Sequence, residues 1–143
     1  RLGEPAVQEA MEEIAEPGRV VRIHSVSKPD LIALYQGAAL FVFPSKYEGF
    51  GLPVLEAMNA GVPVVTTREG SIPEVGGDAV TYTPAGDVAA LAEAMRRFLS
   101  MDDDTRRGIV EQGKLRAACF SWDATARTTI AACEKAVRDV EKD

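Results

Sequence analysis

Short runs of β-branched and aromatic residues alternate along the chain with stretches in which apolar residues recur every three or four positions. The first pattern predicts strands and the second predicts helices. The predicted strands are Val20–Val26, Leu40–Phe43, Val62–Thr66 and a weaker Val80–Thr83. This alternation predicts an α/β fold: a Rossmann-like parallel sheet with helices on both faces and right-handed crossovers. The unbroken apolar run Leu40–Phe43 predicts a strand buried on both faces of the sheet.

Capping residues and helix breakers predict the ends of the first helices. One helix begins at Glu4 and ends at the breakers Pro17-Gly18. Ser27 and Asp30 have the spacing of a capping box, so they predict the start of a second helix.

The carboxyl-terminal part of the chain is predicted to be helical over about residues 103–141. Asp102 and Asp104 imitate a metal-binding carboxylate pair, but their place just before Thr105 favours a helix cap. Asp87 begins an earlier helix, whose predicted apolar face is Val88, Leu91, Met95 and Leu99. The last helix carries an apolar stripe that we expect in the core: Trp122, Ala126, Ile130, Cys133 and Val137.

Length and composition narrow the class of protein. The 143 residues correspond to one domain, so residues 1–143 are taken as a single unit. A net charge of −6 argues against nucleic acid as a partner. The sequence has no apolar run of ~18 residues that would span a membrane. Cys119 and Cys133 fit neither a disulfide framework nor a metal motif, which favours a reducing, cytoplasmic location.

The stretch FPSKYEGFGLPVLEAMNAG, from Phe43 to Gly61, carries the candidate chemistry. Gly49 and Gly51 allow positive φ and a close approach of the backbone to a ligand. The N–H groups of the helix that follows, together with its dipole, would bind an anion. Glu48 before the turn and Glu56 one helical turn inside could accept hydrogen bonds from hydroxyls. A ligand with phosphate between two polyols, such as a nucleotide sugar, would suit this loop.

The segments PSKYEGFGLPVLEAMNAGVPVVTT and GSIPEV closely resemble the carboxyl-terminal domain of retaining family 4 (group 1) glycosyltransferases, which have the GT-B fold. The family signature is a glutamate, seven residues of any type and a second glutamate, met here by Glu48 and Glu56. DLIALYQGAALFVFPS, GDVAALAEAMRRFLS and FSWDATA extend the resemblance over most of the chain.

The resemblance implies a nucleotide-sugar donor, no metal or other cofactor, and transfer of a sugar with retained anomeric configuration. It implies that Glu48 acts at the reacting centre and that Glu56 binds the ribose hydroxyls. The loop at Val26 would lie near the base. The backbone that would hold the sugar hydroxyls and the diphosphate is that of Gly49, Phe50, Gly51 and Leu52.

The resemblance also implies that the family's domain opens with two further strands and an Arg and Lys that neutralise the diphosphate, all upstream of Arg1. We therefore expect part of a GT-B domain that is inactive alone. The resemblance also allows a parent enzyme that is peripheral at the inner membrane face through its amino-terminal domain. In the strand order 3-2-1-4-5-6, Val20–Val26 would be separated from Leu40–Phe43 by a two-strand gap. The unpaired strand edges on the two sides of this gap favour re-pairing of the strands or a homodimer that fills the gap.

The sequence is also compared with two other classes of function. A non-catalytic nucleotide- or anion-binding module would use the same helix N-terminus. A signalling receiver domain is also small and acidic, but it needs aspartates at a strand end that these strands lack. His24 has no evident orienting carboxylate, so a structural role is favoured over that of a base. Glu74 is expected to be a loop or cap residue, with contact to the donor as the alternative.

Overall fold

The computed structural model describes residues 4–14 and 19–140 and divides into two compact units, Arg1–Leu31 and Ile32–Asp143. The first unit contains helix α1 (Glu4–Glu12). The predicted helix end at Pro17-Gly18 lies outside the described residues. Helix α2 (Lys28–Gly37) begins in the first unit and continues into the second.

The segment Val20–Val26 is not a strand in the structure, so this prediction is wrong. Its β-branched residues favour an extended backbone, but a strand also needs a hydrogen-bonded neighbour, and no described strand pairs with it. The adjacent capping box is confirmed. The Ser27 hydroxyl donates to the Asp30 carboxylate at 2.6 Å and accepts from the Asp30 N–H at 3.3 Å.

The second unit is built on three parallel strands in the order β1-β2-β3: β1 (Phe41–Phe43), β2 (Val64–Thr67) and β3 (Thr81–Thr83). The register pairs Val42 with Val65 and Thr66 with Tyr82. The helices that follow the strands are α3 (Leu52–Asn59), α4 (Ile72–Gly76), α5 (Val88–Leu99), α6 (Asp103–Ala117) and α7 (Trp122–Val140). Strand-helix alternation therefore gives the predicted α/β parallel sheet.

The sheet places β2, not β1, at its centre. All four residues of β2 are buried, whereas the three residues of β1 are only half-buried because β1 is an edge strand. The prediction that Leu40–Phe43 is covered on both faces is therefore wrong. The predicted two-strand gap does not form, because Val20–Val26, which would lie on its far side, is not a strand. A homodimer remains a prediction.

The core lies between α3, α4, α6 and one face of the sheet. Val54, Ala57 and Met58 of α3 are each at most 1% exposed, and their spacing gives the helix one buried face. Burying a valine or methionine side chain contributes about 1.5–3 kcal/mol. Gly113 of α6 lies against Met58: a Cβ at this position would be 3.6 Å from the Met58 Cγ, an ordinary van der Waals contact. This packing fixes the helix that carries Glu56.

The two caps predicted from aspartates are confirmed. Asp87 accepts from the Ala90 N–H at 2.9 Å at the start of α5. Asp102 accepts from the Thr105 N–H at 2.8 Å and caps the start of α6.

The apolar face predicted for α5 is only partly covered, and the buried stripe predicted for α7 is wrong. In α5 the buried residue is Phe98, while Val88 is 78% exposed and Leu99 is 59% exposed. In α7 Trp122 is 80% exposed and Ile130 is 58% exposed, so the stripe is not in the core of the described structure. Helical periodicity identifies an apolar face, but it does not say which element, if any, covers that face.

Candidate functional site

Two buried threonines of β2 hold the backbone that leaves β1. The Thr66 hydroxyl donates to the carbonyl oxygen of Phe43 at 2.8 Å. The Thr67 hydroxyl donates to the carbonyl oxygen of Ser45 at 2.5 Å. Both threonines are at most 1% exposed, so these hydrogen bonds satisfy hydroxyls that would otherwise be costly to bury. The loop that carries Glu48 therefore starts from a fixed position at the carboxyl end of the sheet.

Glu48 is half-buried and is held through both its side chain and its backbone. The Ser45 hydroxyl donates to Glu48 Oε1 at 3.1 Å. The Ser71 N–H and hydroxyl both reach the Glu48 carbonyl oxygen at 3.3 Å. Gly70 has φ +59°, and a Cβ there would overlap the backbone of Glu48. The turn between β2 and α4 thus approaches Glu48 as closely as only glycine permits.

The N-terminus of α3 is capped by Gly51, which has φ 92° and provides no side-chain hydrogen bond. Its carbonyl oxygen accepts from the Val54 N–H at 3.0 Å and begins the helical pattern. Because no side chain caps this end, the start of α3 presents backbone N–H groups and the positive end of the helix dipole to a ligand. Pro53 suits the first turn, where an N–H is dispensable.

Glu56 is exposed on α3 and contacts Tyr35 of α2. The Tyr35 hydroxyl donates to Glu56 Oε2 at 3.3 Å. Burial and the neighbouring carboxylate raise the pKa of Tyr35 to about 12. Tyr35 therefore stays protonated at neutral pH and acts as the donor in this pair.

The Phe50 side chain of the loop packs against Phe120, in the carboxyl-terminal part of the chain. Its ring meets the ring of Phe120 edge to face, with centroids 6.1 Å apart. The two rings line an apolar cleft of about 120 Å³ together with Leu52, Leu55 and Trp122. The apolar side chains of the loop thus pack in this cleft, while its backbone N–H groups remain at the start of α3.

The structure brings most of the predicted site residues together in one loop and the first turns of α3. They are Glu48, Gly49, Phe50, Gly51, Leu52 and Glu56. Val26 lies in the first unit, and its predicted place near a base remains a prediction. Glu74 lies in the first turn of α4, as expected for a cap-region acid.

Sequence reasoning missed four residues that contact Glu48 or Glu56: Tyr35 and Ser45 bind the carboxylates, while Gly70 and Ser71 contact the Glu48 backbone. Tyr35 has the spacing of an ordinary helix-face residue, so nothing local distinguishes it. Gly70, directly before SIPEV, was a usable signal, since an isolated glycine between a strand and a helix often marks a close backbone approach.

Neither a metal cluster nor a membrane helix is found in residues 4–14 and 19–140. No three His, Cys, Asp or Glu side chains there are grouped so that they could hold a metal ion. No helix in this part of the chain is both long and apolar enough to cross a membrane.

The family described as "Glycosyl transferases group 1" matches residues 6–116, and this chain belongs to that family. The match includes the loop and helix that carry Glu48 and Glu56.

Two curated bacterial relatives are enzymes named for mannosyl transfer. The chain is 45% identical over 105 residues to O-antigen chain mannosyltransferase B of Escherichia coli, covering 73% of this chain and 27% of that protein. It is 40% identical over 135 residues to MMP alpha-(1->4)-mannosyltransferase of Mycolicibacterium hassiacum, covering 89% of this chain and 32% of that protein. The chain thus spans about a third or less of these relatives.

The fold is also found in a solved enzyme structure. Sucrose-phosphate synthase from Thermosynechococcus elongatus superposes with a TM-score of 0.83 at 27% identity, over 94% of this chain and 34% of that chain. The parallel sheet and this match confirm the predicted α/β class, part of a GT-B glycosyltransferase domain.

Proposed function

We propose that this chain is the nucleotide-sugar-binding part of a retaining glycosyltransferase, which transfers a sugar from a nucleoside diphosphate to an acceptor. The observation that carries the proposal is the arrangement of Glu48 and Glu56 on either side of the glycine-capped N-terminus of α3. The chain's family membership supports the reaction class.

Glu56 would accept hydrogen bonds from the two hydroxyls of the donor ribose. A carboxylate can accept both at once, and hydrogen bonds to a charged group are worth about 1.5–3 kcal/mol each. The exposure of Glu56 leaves it accessible to a ligand, and Tyr35 engages only one of its two oxygens.

The backbone from Gly49 to Leu52 would bind the diphosphate and the sugar hydroxyls. As the bond between the anomeric carbon and the diphosphate oxygen breaks, negative charge grows on the leaving group. The positive end of the α3 dipole favours that charge by about 0.3–1 kcal/mol at an exposed site and up to about 2 when partly buried. Because these are fixed backbone groups, we propose that the site needs no divalent metal.

Glu48 would act next to the donor sugar. Its carboxylate would stabilise the positive charge that develops at the anomeric carbon as the leaving group departs. The acceptor oxygen then bonds to the same face of that carbon and passes its proton to the oxygen of the departing diphosphate. Because attack and departure occur on one face, the anomeric configuration is retained. The hydrogen bond from Ser45 and the fixed backbone hold Glu48 in one place for this role.

We also propose a cytoplasmic location for this chain. Cys119 and Cys133 are both free thiols exposed at the surface, as expected for a reducing compartment. Nucleotide sugars as donors would agree with that location.

Calorimetric titration tests donor binding directly. The chain is titrated with UDP, GDP and ADP, and then with the mannose- and glucose-linked form of each, since two relatives are named as mannosyltransferases. We expect selective binding of one base, reduced about 10-fold or more by Glu56→Ala. Glu134→Ala, which removes an exposed glutamate of α7, is the matched control and should bind as the unaltered chain does.

The same titrations separate the proposal from its alternative. A non-catalytic anion-binding module would bind diphosphates with little regard to base, and Glu56→Ala would leave that binding unchanged. Absence of binding to every nucleotide would contradict donor binding by this chain, while its family membership would stand.

A further inference from the structure

One hydrogen bond joins the proposed ribose-binding carboxylate to a residue 21 positions earlier in the chain. Tyr35 donates from α2 to Glu56 on α3. An exposed glutamate without a partner samples several rotamers, and fixing one of them costs conformational entropy on binding. A partner that selects the rotamer beforehand removes part of that cost.

Tyr35 is well placed to select it, because its ring is anchored on the sheet. The ring meets Phe41 of β1 edge to face, with centroids 5.3 Å apart. Phe41 in turn stacks on Phe43, at 5.9 Å. The hydroxyl position is thus set by the strand that leads into the loop carrying Glu48. A tyrosine has few rotatable bonds, so its anchored ring carries a well-defined donor.

The chemistry of the pair leaves room for a ligand. The Tyr35 hydroxyl has a single proton, and it goes to Glu56 Oε2. The other oxygen, Oε1, keeps its acceptor capacity for the two hydroxyls of a ribose.

We propose that Tyr35 is a positioning residue that orients Glu56, and that the pair makes this site selective for ribonucleotides over nucleotides that lack the ribose hydroxyls. The inference rests on the proposed function, because it assigns a specificity to the same site.

The test compares a ribonucleotide with its 2′,3′-dideoxy form. Kd values are measured by calorimetry for the nucleoside diphosphate that the chain binds best and for the dideoxy analogue of the same base. We expect Tyr35→Phe to weaken ribonucleotide binding about 2- to 10-fold, the effect of one hydrogen bond, with little change for the analogue. The preference for ribose should fall by the same factor.

Two further variants test whether the effect of Tyr35→Phe acts through Glu56. Glu56→Ala should abolish the ribose preference. Tyr82→Phe removes a different tyrosine hydroxyl, one that donates to the carbonyl oxygen of Gly77 at 2.8 Å, and should leave the preference unchanged. Tyr35→Phe keeps the ring on Phe41, and its thermal unfolding is measured to verify that the fold is intact.

Each remaining outcome has a distinct meaning. If Tyr35→Phe weakens both ligands equally, or neither, Tyr35 does not orient Glu56 and the inference is overturned. If the unaltered chain does not distinguish ribose from dideoxyribose, the proposed role of Glu56 fails first, and the role of Tyr35 falls with it.

Discussion

Phe120 braces Phe50 of the proposed donor loop from the segment between α6 and α7, ring edge against ring face at 6.1 Å. Phe120 is itself covered by the Arg116 guanidinium, 5.1 Å from its ring centroid. The Arg116 side chain also donates to the carbonyl oxygens of Val75, at 3.0 Å, and Glu74. A chain of contacts therefore connects α4 through Arg116 and two rings to the loop.

Removing the Phe120 ring should destabilise the protein. We expect Phe120→Ala to lower the free energy of unfolding by about 1–3 kcal/mol, less than for a fully buried phenylalanine because Phe120 is half-buried. Phe120→Leu keeps apolar volume and loses only the ring geometry, so it should cost about 0.5–1.5 kcal/mol. Urea unfolding measures both, and a cost near zero for Phe120→Leu would show that ring geometry is irrelevant.

A methyl group at Gly70 should displace Glu48. Gly70→Ala combines a strained positive φ with an overlap against the Glu48 backbone. Gly86→Ala is a matched control, since Gly86 has φ +81° and nothing within 4 Å of the added Cβ. Both variants share the strain of about 1–2 kcal/mol.

We expect Gly70→Ala to cost at least about 1 kcal/mol more than Gly86→Ala, and to weaken donor binding where Gly86→Ala does not. Urea unfolding and calorimetry supply the two measurements. If both variants lose the same unfolding free energy and the same donor affinity, the close approach of Gly70 to Glu48 contributes to neither.

The Tyr35 hydroxyl should make stability fall at high pH. Its pKa is raised from 10.0 to about 12 in the folded protein, first by burial and then by Glu56. The stabilisation is therefore fully present below pH 10 and is lost as the pH rises toward 12. Between these values, unfolding free energies should decline more steeply for the unaltered chain than for Tyr35→Phe. Parallel declines in the two proteins would contradict the raised pKa of Tyr35.

The α6 cap should make stability fall at low pH. Hydrogen bonds from the Thr105 backbone N–H and then its hydroxyl lower the pKa of Asp102 below its ordinary 3.8. The stabilisation is present above pH 3.8 and is lost as the pH falls through the lower folded value. Thermal unfolding between pH 2 and 5 should show a smaller pH dependence for Asp102→Asn, which keeps a capping oxygen without the titrating carboxylate. If Asp102→Asn has the same pH dependence of thermal unfolding as the unaltered chain, the lowered pKa of Asp102 is contradicted.

Local sequence signals were sufficient to predict the helix caps and the loop that carries Glu48. Ser27, Asp87 and Asp102 form hydrogen bonds within three residues of themselves, so the sequence contains both partners. Glu48 and Glu56 are placed by one short loop and one helical turn, which glycine and proline positions predict.

Features that depend on distant partners could not be predicted in this way. Val20–Val26 has strand composition but no described neighbouring strand, and Trp122 has core character but no described element that covers it. The contact of Tyr35 with Glu56 spans 21 residues, and it depends on how α2 and α3 lie beside β1. Periodicity reports the character of a surface, whereas these outcomes depend on what lies opposite that surface.

Trp122 gives the protein a built-in optical reporter. It is the sole tryptophan of the chain, it is 80% exposed, and it lines the same cleft as Phe50 and Leu52. Its fluorescence should therefore have the long-wavelength emission of a hydrated indole. Any molecule or segment of protein that settles over this cleft should shift the emission to shorter wavelength, so occupancy beside the donor loop can be followed without a label.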